Sequence, residues 1–88
     1  MQVKFTDEVL KGVYANMVQV GHTPEEFILD FMNIFPPSGV VNARVILSPG
    51  HMKRLAAAMA DNIKKYEEQF GVIKPSEIPQ HKVGFRTE

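Results

Sequence analysis

Apolar positions between residues 48 and 71 recur at alternating steps of four and three: Met52, Ala56, Met59, Ile63, Tyr66 and Phe70. That spacing puts them on one side of an α-helix as a heptad-like stripe, which needs apolar cover. The ends are marked as clearly as the middle. Ser48 is a good N-cap, because its hydroxyl can accept from a free N–H of the first turn. Pro49 fits the first helical position, where no N–H is needed. Gly71 suits a helix end that calls for positive φ. The pattern predicts one helix over about residues 49–70, of about six turns and roughly 33 Å.

Before this helix the pattern changes to alternation. Residues 1–5 alternate apolar and polar, as a short edge strand does. Residues 6–12 read as a turn or a single helical turn. Residues 13–21 are rich in β-formers and place Tyr14, Asn16, Val18 and Val20 on one strand face. Gly21, His22, Thr23 and Pro24 then form a turn cluster. Residues 26–35 admit two readings. As a helix, Thr23 caps, Pro24 leads and Glu26 completes a capping box. As a strand, Phe27, Leu29, Phe31 and Phe35 share a face, and the aromatic content favours it. Pro36, Pro37, Ser38 and Gly39 break any element. Residues 40–47 resume as a strand, with Val41, Ala43, Val45 and Leu47 on one face and Asn42, Arg44 and Ile46 on the other. It runs into Ser48 with almost no loop. After Gly71, Val72 and Ile73 are placed to fold back on the helix end. Residues 74–88 hold Pro75, Pro79 and Gly84 without a period, which predicts an extended tail.

Several of these segments together resemble a known family. Tyr14-Ala15-Asn16 precedes a valine-rich run, and Glu26-Phe27-Ile28-Leu29-Asp30-Phe31 follows. Ala43-Arg44-Val45-Ile46-Leu47-Ser48-Pro49 comes next, then residues 51–54, Asn62-Ile63, Tyr66-Glu67 and Phe70-Gly71. In this order and spacing, over about residues 12–73, the chain resembles the short prokaryotic family catalogued as domain of unknown function 3467. The resemblance implies a β-rich first half and a C-terminal helix, which favours the strand for residues 26–35. It implies no reaction, cofactor or substrate. The expected fold class is α+β: a three- to four-stranded antiparallel sheet followed by one long C-terminal helix. Residues 1–73 make one domain and 74–88 the tail. A six-turn helix overhangs strands of roughly five to eight residues, so a homodimer or higher homo-oligomer is expected to cover the excess, with helices, sheets or both paired between copies.

Composition narrows the function classes. A chain of 88 residues, 44% of them hydrophobic, makes one small domain that buries roughly 60–65% of its unfolded surface. With no cysteine, disulfides and thiolate metal sites are excluded. Ten basic and ten acidic side chains cancel, whereas a nucleic-acid binder usually carries a basic excess. Residues 1–11 lack the apolar core of a signal peptide, and no apolar run matches a membrane span. A cytoplasmic protein with no membrane partner is the expectation.

Candidate chemistry is sparse. His22, His51 and His81 fall in a turn, at a helix start and in the tail, without the paired spacing of metal ligands. No metal or other cofactor is implied. Asp30, inside an aromatic run, reads better as a cross-strand partner of Arg44 than as an acid–base group. Ser48 lacks the flanking glycines of a nucleophile elbow, and no phosphate-binding glycine motif is present. His51, Lys53, Arg54, Lys64 and Lys65 could face phosphate, but Asp61, Glu67 and Glu68 share the helix, and Asp61 forms an i,i+4 pair with Lys65. Tyr14 and Asn16 suit either recognition or packing. The sequence therefore favours a non-enzymatic interaction or assembly module acting as a homo-oligomer with an unidentified protein partner. Met59, Ile63, Tyr66 and Phe70 form its interface, and Tyr14, Asn16, Arg44, His51, Lys53 and Arg54 are its candidate partner or anion contacts. Two alternatives stand beside it: a nucleic-acid-associated protein using Arg44, His51, Lys53 and Arg54, and a ligand-binding protein with Asp30, Arg44 and Tyr14 around a pocket.

Overall fold

A computed structural model describes residues 1–77. Its elements run α1 (Asp7–Leu10), β1 (Met17–His22), β2 (Phe27–Phe35), β3 (Ser38–Leu47) and α2 (Pro49–Phe70). The three strands form an antiparallel sheet in the order β1-β2-β3, and the long helix follows. This is the α+β architecture expected, with three strands. The tail expected over 74–88, His81 included, lies outside the described residues from 78 onward; residues 74–77 are exposed and irregular.

Two of the expected strands change. Residues 1–5 form no strand, and Met1, Val3 and Phe5 are exposed. Alternation alone cannot hold a strand that has no neighbour to bond. Instead the Thr6 hydroxyl accepts from the Val9 N–H at 3.3 Å and caps α1. The strand expected over 13–21 begins only at Met17. Just before it, the Asn16 carboxamide stands in for a strand residue. Its Nδ2 donates to the Ile34 carbonyl at 2.9 Å, and its Oδ1 accepts from the Ile34 N–H at 2.8 Å.

The turn into β2 explains why residues 26–35 carry a helix signal and yet form a strand. The Thr23 hydroxyl accepts from the N–H groups of Glu25 and Glu26, both at 3.2 Å, as an N-cap does. The Thr23 N–H also donates to the Glu26 carbonyl at 2.9 Å, which closes a hairpin. β2 then finds a partner on each side, and two ladders outweigh one local cap. At its far end, Pro36 and Pro37 make a two-residue turn with a cis bond between them. Gly39 opposes Ile34, whose Cδ1 would lie 2.6 Å from a Cβ at that position.

β3 contains a bulge. Phe31 pairs with Ala43 and Met32 with Val41, so Asn42 has no partner across the ladder. The extra residue reverses the alternation. Val41 shares a face with Met32 and Arg44, not with Ala43, Val45 and Leu47 as expected from strict alternation. The freed Asn42 side chain donates to the Tyr14 carbonyl at 2.6 Å. This ties the segment before β1 across the sheet to β3.

Leu29, Met32 and Leu47 are the buried apolar side chains among the described residues, and Met32 is 2% exposed. Leu29 and Leu47 lie on one face and Met32 on the other. β2, the central strand, supplies two of the three. The helix follows its sequence signals closely. The Ser48 hydroxyl accepts from the His51 N–H at 3.2 Å, and Pro49 occupies the first turn. Gly71 ends it at φ 99° and ψ 167°, a region essentially reserved for glycine. Ile73 is drawn back by a polar contact, its N–H donating to the Glu67 carboxylate at 2.8 Å, while Val72 stays exposed.

Candidate functional site

The stripe of α2 divides in two. Met52 and Leu55, in the first two turns, are half-buried. Beyond them Met59, Ile63 and Tyr66 are each 50% exposed, and Phe70 is 65% exposed. The chain's own sheet was expected to share in covering this edge, with the overhang arising from short strands. Strands β2 and β3 are in fact nine and ten residues long, roughly 30–33 Å, close to the length of the helix. Cover is therefore not lost because the sheet runs out; along this edge only Met52 and Leu55, near the start of the helix, are half-covered by the described residues. Leu55 was missed in the sequence, although it stands three residues after Met52 and four before Met59 and so fits the same stripe. The Tyr66 and Phe70 rings lie 4.9 Å apart at 48°, a tilted aromatic pair at the free end.

The sheet holds one ion pair across β2 and β3. Arg44 Nε donates to Asp30 Oδ1 at 2.7 Å and Arg44 Nη2 to Asp30 Oδ2 at 3.0 Å, on directly opposed residues. This is the cross-strand pair expected, in the bidentate form that suits a guanidinium. The Asp30 side chain is 15% exposed and that of Arg44 63%. Hydrogen bonding from Arg44, helped by its charge, holds the Asp30 carboxyl below the usual range against a smaller opposing effect of desolvation. A lowered folded pKa contributes stability that is complete above the ordinary carboxylate value of roughly 4 and is lost as pH falls through the folded value. Thermal unfolding followed from pH 6 to pH 3 should show a smaller loss for Asp30→Asn than for the native chain. Equal slopes would remove Asp30 from the acid response.

The remaining candidate residues do not converge. Tyr14 precedes β1, is exposed, and offers its carbonyl to Asn42. Asn16 is committed to Ile34. A hollow of about 800 Å³ is lined by Tyr14, Asn16, Val18, Phe31, Ile34 and Pro36, among others, but not by Asp30 or Arg44. The pocket expected from Asp30, Arg44 and Tyr14 together is therefore not formed. His51, Lys53 and Arg54 are exposed in the first turns of α2. Arg44 is engaged by Asp30, and Lys65 lies 3.1 Å from Asp61. The His22 and Phe27 rings lie 5.6 Å apart, tilted by 39°. Among the described residues no three His, Asp or Glu side chains gather as metal ligands, and no helix is long and apolar enough to cross a membrane.

A family model described as a protein of unknown function, DUF3467, matches residues 1–75. The chain belongs to that family. The DUF3467 match is wider than the resemblance over 12–73 and takes in α1 and the irregular segment before it. It ends within the described residues, just after the Glu67 contact to Ile73. Comparisons with curated proteins and with solved structures give no match.

Proposed function

We propose that this DUF3467 chain is a non-enzymatic assembly module that acts as a homo-oligomer, with the outer part of the α2 stripe as its interface. The observation that carries the reading is the exposure of Met59, Ile63, Tyr66 and Phe70 on a helix capped at both ends. A capped helix whose apolar edge lacks cover from the described residues is suited to a matching edge, as in helix pairing between subunits. Two copies related by a two-fold axis present the same stripe to each other. The mixed charge of the opposite side, with Asp61 beside Lys65, suits a surface left in solvent.

Sedimentation equilibrium tests the reading. A dimer or higher oligomer is expected at about 50 µM, where interfaces of standard size are populated. A monomer at that concentration would remove it. A pull-down from native extract, with and without nuclease, tests the second half. Capture of a protein that survives nuclease supports an assembly module, and capture that depends on nucleic acid supports the alternative through His51, Lys53 and Arg54.

A further inference from the structure

We propose that the outer edge of β1 pairs antiparallel with β1 of a second copy about a two-fold axis at Val20, joining two three-stranded sheets into one of six. This rests on the self-association proposed above but uses a different surface.

The phase of the ladder shows which groups are free. The Thr23 N–H donates to the Glu26 carbonyl, in the same register that opposes Gly21 to Ile28, Gln19 to Asp30 and Met17 to Met32. In an antiparallel pair, bonding alternates between residues. Met17, Gln19 and Gly21 therefore turn their main-chain groups toward β2. Val18, Val20 and His22 turn theirs outward, and β1 has no second neighbour among the described residues. The bond from Asn42 to the Tyr14 carbonyl draws the residues just before β1 the other way, across to β3.

The free row complements itself. Antiparallel pairing about Val20 sets Val20 against Val20, Val18 against His22 and His22 against Val18. Every outward N–H and C=O of the three residues then finds a partner of the right phase. Centring on Gln19 instead would set His22 against Asn16, whose N–H is already given to the Met32 carbonyl. Side chains agree with this register. Val18 and Val20 share a face, 42% and 50% exposed; across the new seam Val20 meets its counterpart directly, with Val18 on the diagonal.

The other edge of the sheet is protected in ways that this one is not. β3 carries the Asn42 bulge and the Arg44 charge, two devices that discourage edge pairing. β1 reads Met-Val-Gln-Val-Gly-His, with no proline, bulge, lysine, arginine or carboxylate.

Amide hydrogen exchange on the assembled full-length chain, read by NMR, tests the pairing. The amides of Val18, Val20 and His22 should exchange as slowly as those of Gln19 and Gly21. Val20→Pro removes an N–H that lies outside the β1–β2 ladder, so it should weaken self-association by about tenfold or more in sedimentation with an unchanged circular dichroism spectrum. If the chain assembles, yet these three amides exchange freely, the helix stripe stands and the β1 seam is overturned. If they are protected in a monomer, another segment of the same chain occupies the edge, which also overturns it. A monomer with freely exchanging amides ends both proposals. Should Val20→Pro fail to fold, the native amide pattern decides alone.

Discussion

Replacing Ile63 with aspartate is expected to weaken the self-association proposed through the α2 stripe while leaving the chain folded. Ile63 stands midway along the exposed part of the α2 stripe, with Met59 and Tyr66 on either side, and is half exposed in the single chain. Fully burying an isoleucine side chain contributes about 1.5–3 kcal/mol, and covering the exposed half of Ile63 about half of that. A two-fold interface loses that contribution on both copies, about 1.5–3 kcal/mol in all, or roughly ten- to a hundred-fold in the dissociation constant. Placing two carboxylates in the interface adds to the loss. The fold itself loses little, because aspartate in an exposed helix position costs about 0.5 kcal/mol of propensity. Sedimentation equilibrium measures the first effect and circular dichroism at the helix bands the second. Ala57→Asp, exposed and away from the stripe, is the control and should assemble normally. If Ile63→Asp associates as tightly as the native chain, the stripe is not the interface.

The second large effect is expected at Met32, and it is of a different kind. Met32→Ala should lower stability by about 2–5 kcal/mol, a large share of the 5–15 kcal/mol that holds a typical domain. Met32 is 2% exposed and is the sole buried apolar side chain described on its face of the sheet. Leu29 and Leu47 lie on the other side and cannot close over the space it leaves. A small core has no redundancy, so this loss should show in the melting temperature at every protein concentration. The two variants thus separate cleanly. Ile63→Asp should reduce the dependence of the melting temperature on concentration, whereas Met32→Ala should lower the whole curve. A Met32→Ala protein that melts within a degree or two of the native chain would mean that Met32 is not central to the core.

These contrasts bear on how far the chain could be understood before its structure. Helix α2 was legible at both ends because Ser48, Pro49 and Gly71 act through local bonds and dihedral angles. The pair Asp30–Arg44 was legible because opposite charges on neighbouring strands have one natural arrangement. β2 was not decided locally. Thr23 makes the bonds of a helix cap, and only the strands on both sides of β2 override it. The Asn42 bulge was not legible either, since one inserted residue leaves a run of alternating positions looking intact. An asparagine amid β-branched residues was its only trace. Residues 1–5 failed for the opposite reason: their alternation is real but has no neighbour to pair with. The stripe of α2 was clear, but its cover was not. A sequence shows that an apolar edge exists, and the path of the chain decides how much of it its own sheet can reach.

The Asn42 bulge has a consequence for the size of any assembly. A sheet with two equally receptive sides would recruit copies indefinitely and grow into a fibre. With β3 spoiled for pairing by an inserted residue whose side chain is held by Tyr14, only one side remains receptive, and joining two such sides leaves none. Restoring regular pairing by deleting Asn42 is the change that would most readily turn a finite particle into an open-ended one.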